Sequence, residues 1–167
     1  MYRIGRPRIY TALIITLILE STLFNFFKIG GIQPNFMLIL VVFVGLYSEW
    51  GEALETGIAA GLLRGAFSAG SVGINLVAFG ACALLVSYFK NKVYRENFLT
   101  QIIVTLTTAL FISVFAILAR IVMKDVLFVG IDLFGALTRT VLLISLYTSL
   151  FSPPIFYCLR ALLPQRS

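Results

Sequence analysis

Long apolar runs alternate with short polar breaks from one end of the chain to the other, and this pattern predicts helices, because each run is too long and too uniform for a strand. Ile9–Phe27 is 19 residues with one charge, Glu20. Pro34–Ser48 follows a turn around Lys28-Ile-Gly-Gly, with Pro34 suited to a first helical position. Ala53–Phe67, Ile74–Phe89, Phe98–Met123 and Leu133–Phe151 complete a set of six. Asn75 is expected to cap the fourth. Ser152-Pro-Pro is expected to end or kink the sixth, leaving Ile155–Leu163 as a separate interfacial helix.

The lengths are uneven. Fifteen residues rise only about 22 Å as a helix, against about 30 Å of hydrocarbon. The second and third runs therefore predict helices buried inside a bundle, or a segment after Phe67 that re-enters under protein cover. Glu49-Trp50-Gly-Glu52 separates them, with Trp50 placed as an interfacial anchor. Glu52 and Glu55 read as a solvated helix start.

Composition turns this pattern into a class. The chain is 60% hydrophobic and 12% charged, about half the charge of an average soluble domain. It cannot cover a globule with polar surface, so water-soluble enzymes and nucleic-acid-binding domains are excluded and the bilayer is the remaining solvent. The expectation is all-α: one transmembrane domain over residues 1–167, a six-helix bundle with no room for a soluble domain. No small-residue cleavage site follows Phe27, so the first run is expected to stay as a helix.

Charge sets the orientation. With the N-terminus inside, the inner face carries Arg3, Arg6, Arg8, Lys90, Lys92, Arg95, Arg160 and Arg166. The outer loops carry Lys28 and Lys124, with Arg120 near that edge. The bias predicts both termini and the Lys90–Arg95 loop in the cytoplasm. The net charge of +6 thus points to headgroups rather than to nucleic acid.

Catalytic chemistry is thin. There is no His, which removes Ser-His-Asp and Cys-His catalysis and His-ligated metals. Cys82 and Cys158 sit in apolar runs and read as packing residues. No catalytic residue, metal site or cofactor is expected.

Three features remain. Gly57, Gly61 and Gly65 are four apart and form one smooth helical stripe, either for close packing inside the bundle or for a partner's helix. Glu20, Arg64 and Arg139 form an intramembrane charge cluster: Glu20 and Arg64 each lie about 16 Å up their helices, and Arg139 about 9 Å below the far edge. An isolated charge at that depth costs about 3 kcal/mol, so Glu20 is expected to pair with Arg64 or Arg139. The alternatives are a structural pair that fixes register and an ion or substrate path. Finally, Asn25, Gln33, Asn35, Ser68, Ser71 and Asn75 gather near outer helix ends, as an outward pocket or as plain rim polarity.

The basic N-terminus, Gln33-Pro-Asn-Phe-Met-Leu-Ile-Leu, Gly57-Ile-Ala-Ala-Gly-Leu-Leu, Gly70-Ser-Val-Gly-Ile-Asn75 and the basic turn Lys90–Arg95 together resemble the rod shape-determining MreD family in order and spacing. One position departs: the family often has an acid soon after the Gly-Leu-Leu element, where this chain has Arg64. The resemblance implies a non-enzymatic multi-pass subunit of the bacterial elongation complex in the cytoplasmic membrane, scaffolding cell-wall synthesis. It implies MreC as direct partner, with RodA, a class B penicillin-binding protein and MreB in the same assembly, and membrane lipids around it. It also implies a fold similar to the S subunits of energy-coupling-factor vitamin transporters. A vitamin-binding S subunit is the alternative function. It calls for a small-residue stripe on the first span, where bulky residues dominate. An intramembrane enzyme fits least, for want of His or a deep acid pair.

Overall fold

A computed structural model describes residues 6–23, 34–67, 72–93, 97–122 and 131–162, with side chains described for all of these except 120–122 and 131–140. Six helices make up the described chain: α1 (Arg6–Leu23), α2 (Phe36–Tyr47), α3 (Trp50–Phe67), α4 (Val72–Phe89), α5 (Phe98–Val122) and α6 (Ile131–Leu162). No strand occurs among the described residues.

The short second run sits at the centre. α2 is 12 residues long, a rise of about 18 Å, and it contacts each of the other five helices. Every residue from Met37 to Tyr47 is buried. This explains both its brevity and its composition. A helix with no lipid-facing side need not match the bilayer's thickness, and it can be apolar on all faces. Of the two arrangements the sequence left open, α2 takes burial.

The outer helices show the reverse pattern. Ile14, Ile18, Ile103, Leu118, Leu143 and Leu150 are large, apolar and exposed. Among the described residues, Val72–Phe89, Phe98–Ala119 and Val141–Leu162 are long and apolar enough to cross a membrane.

Three boundaries differ from expectation. α3 starts at Trp50, giving 18 residues, or about 27 Å, so it is less short than the apolar run alone indicated. α4 starts at Val72, which puts Asn75 inside the first turn rather than at the cap. The sixth helix neither ends at the proline pair nor hands over to a separate interfacial helix; α6 runs unbroken for 32 residues through Pro153 and Pro154. The two prolines remove the N–H groups that would bond to the carbonyls of Ser149 and Leu150. Packing carries the helix past them. Phe156, 1% exposed, sets its ring 5.3 Å from that of Phe43 and 6.5 Å from that of Tyr47 on α2.

Candidate functional site

A helix buried end to end has a problem that an ordinary spanning helix does not. Its first N–H groups and last carbonyls stop inside the protein, where water is scarce. Several polar side chains from other helices meet these two ends of α2.

At the N-terminal end, Asn35 is the cap. Its Oδ1 accepts from the Leu38 N–H at 3.0 Å, and its own N–H donates to Thr148 Oγ1 on α6 at 3.0 Å. Glu20 of α1 supplies the second acceptor: its Oε2 takes the Met37 N–H at 3.3 Å. A carboxylate here also faces the positive end of the helix dipole. Its other oxygen accepts from Arg64 Nη1 of α3. One node thus joins α1, α2, α3 and α6. The Glu20 side chain is 17% exposed and that of Arg64 31%, so the pair is partly screened rather than sealed.

At the C-terminal end, the Lys90 Nζ donates to the carbonyl of Ser48, the C-cap residue, at 2.7 Å. A cation there meets the negative end of the dipole. Arg160 of α6 donates to the Tyr47 hydroxyl, and its guanidinium carbon lies 5.2 Å from the centre of that ring. Beside this end, Glu55 of α3 accepts from the Tyr10 hydroxyl and lies 3.4 Å from Arg6 Nε. Glu55 is therefore more than a solvated helix start, since it ties α3 to α1.

The glycine stripe lies elsewhere, against α4. A Cβ built on Gly57 would stand 2.7 Å from the Phe79 carbonyl oxygen and from Ala83 Cβ. One on Gly61 would stand 2.7 Å from the Asn75 oxygen and the Leu76 Cα, and one on Gly65 would stand 2.7 Å from the Val72 Cα. These are backbone obstacles, so any side chain would force the helices apart. All three glycines are buried, and α3 and α4 form the most extensive helix pair.

The structure therefore joins Glu20 to Arg64. The Arg139 side chain lies outside the described residues, as do Asn25, Gln33, Ser68 and Ser71. Of the expected outward pocket, Asn35 is buried as a cap and Asn75 is half-buried, its carbonyl turned to the Gly61 face. Cys82 is buried and Cys158 is exposed. Among the described residues there is no group of three or more His, Cys, Asp or Glu placed to hold a metal.

Sequence reasoning found the Glu20–Arg64 pair from depth. It missed the Met37 N–H, Thr148, Lys90 on Ser48 and Arg160 on Tyr47. The available signal was the brevity of the second run, which implies helix ends in need of partners.

No curated protein sequence and no solved structure matches the chain. A family model does: that of the rod shape-determining protein MreD, over residues 1–162. With an all-helical bundle whose outer helices are long and apolar, and with nearly its whole length matched, the chain belongs to the MreD family of shape-determining membrane proteins.

Proposed function

We propose that this protein is a non-enzymatic scaffold of the bacterial elongation complex. It crosses the cytoplasmic membrane six times, with both termini in the cytoplasm, and binds MreC. Through MreC it joins RodA, a class B penicillin-binding protein and MreB. Family membership supports the role in shape determination.

The observation that carries the scaffold reading is how the intramembrane polar groups are used. Glu20 bonds to Arg64 and Asn35 to Thr148, and Glu20 and Asn35 each accept an N–H of the first turn of α2. An acid with one oxygen on a guanidinium and the other on a backbone N–H is a structural clamp that holds α1, α2 and α3 in register, and the Asn35–Thr148 bond adds α6. A bundle with a clamped core keeps its outer faces fixed for partners. The basic residues near Lys90 and the N-terminus support the orientation.

Two experiments test this reading. The full chain is purified from its native membrane under mild detergent and the co-purifying components are identified. MreC in stoichiometric amount is expected, and a bound vitamin without MreC overturns the scaffold reading. For topology, a cysteine introduced at Asn91 is expected to resist an impermeant thiol reagent in intact cells and to react after lysis. Labelling from outside overturns the orientation.

A further inference from the structure

A cavity of about 280 Å³ lies between α4 and α5, away from the polar node, with Leu46 of α2, Cys82 and Val86 at its floor. It opens on the side of the bundle, since Leu85, Ile103 and Phe111 at its rim are exposed. From Ile103 to Phe111 it follows α5 for about 12 Å, so it is elongated along the membrane normal.

Its walls offer hydrocarbon. The two hydroxyls there are already donating, Thr107 to the Ile103 carbonyl at 2.8 Å and Thr108 to the Val104 carbonyl at 2.6 Å. Water needs two or more polar partners to settle in such a space, so it gains little here. A helix does not fit either. With side chains it is about 10–12 Å across and needs several times this volume over the same length. A single acyl chain has the required shape and chemistry.

One end of the cavity is charged. Phe89 lines it, and the Lys92 ammonium sits 5.9 Å from the Phe89 ring centre and 5.9 Å from that of Tyr88. Lys92 is exposed. Its neighbour Lys90 is engaged with the Ser48 carbonyl, so among the described residues at this end Lys92 is the cation placed to face a headgroup. An apolar slot that ends at a lysine matches an amphiphile with a negative head.

We propose that the α4–α5 cavity is a binding site for one acyl chain of an anionic phospholipid, its phosphate at Lys92. The orientation proposed above places that lipid in the cytoplasmic leaflet, and the site itself does not depend on the scaffold reading.

The test is native mass spectrometry of the full-length protein released from mixed micelles holding equal amounts of phosphatidylglycerol and phosphatidylcholine. Wild type is expected to keep phosphatidylglycerol about fivefold over phosphatidylcholine, the preference one lysine supplies near a lipid surface. Lys92→Gln is expected to bring the ratio to about one while total lipid retained stays constant. Thr107→Phe, at the exposed rim, is expected to fill the slot and cut retention of both lipids. Leu85→Trp on the opposite rim replaces it if that variant misfolds. Equal retention of the two lipids by wild type, a preference that survives Lys92→Gln, or unchanged retention with the slot filled each overturns the proposal.

Discussion

The α3–α4 pair and the α5–α6 pair join neighbouring helices by opposite means. α3 meets α4 with three glycines set against backbone atoms, so along that stripe the two main chains approach closely. α5 and α6 carry buried hydroxyls instead, Thr105 and Thr108 on one, Ser145, Thr148, Ser149 and Ser152 on the other. Few of these bridge the helices. Thr108 and Ser149 bond to carbonyls of their own helices. Thr105, Ser145 and Ser152 have no hydrogen-bond partner among the described residues. In lipid, where hydrophobic drive between helices is absent, close backbone contact yields a stiff pair. Back-bonded hydroxyls yield a pair held by ordinary side-chain packing. The first pair therefore tolerates no added atom, and the second has atoms to spare.

The most damaging test of that contrast is Gly61→Leu. Four extra carbons must enter a space bounded by backbone, so a loss of at least about 3 kcal/mol is expected, enough to remove the monodisperse peak in size-exclusion chromatography. Gly80→Ala is the control on the facing helix. Its added Cβ meets only side-chain carbons at 3.8 Å, and the stability read from a thermal melt is expected to stay within about 0.5 kcal/mol of wild type. A tolerated Gly61→Leu would show that the two pairs do not differ.

Breaking the node that ties both halves together comes next. Glu20→Arg is expected to cost roughly 2–3 kcal/mol, between the values for exposed and fully buried pairs. Arg64→Glu added to it should restore about half, because the ion pair returns reversed while the Met37 N–H remains without its acceptor. A double mutant no better than the single one would leave the Met37 bond as the whole contribution of Glu20.

The smallest effect sharpens the other side. Thr105→Val keeps the volume and removes a buried hydroxyl without a partner, so stability in a thermal melt is expected to hold or rise by up to about 1 kcal/mol. A loss beyond 1 kcal/mol would make that hydroxyl a true interhelical link.

These residues also mark what the chain discloses before folding. The glycine stripe was legible because a period of four is a local property of one helix. The Glu20–Arg64 pair was legible because depth can be counted along each helix. The ends of α2 were not, since a cap contributed by Lys90 or Thr148 follows from helix arrangement, which no local period encodes. The proline pair misled for the same reason. Local chemistry favours a stop at Ser152, and the ring contacts between Phe156 and α2 override it.

The hydrogen bond between Asn35 and Thr148 spans 113 residues of chain, as does that between Tyr47 and Arg160. At ribosomal rates of about 5–20 residues per second, roughly 6–23 s pass between synthesis of the two partners. Throughout that interval α2 exists as a nascent segment with its Glu20 contact available but its α6 contacts unmade. The centre of the bundle is thus among the first parts translated and the last to be completed, and a nascent chain arrested before α6 holds a core helix that has its Asn35, Glu20 and Lys90 contacts but lacks Thr148 at one end and Arg160 at the other.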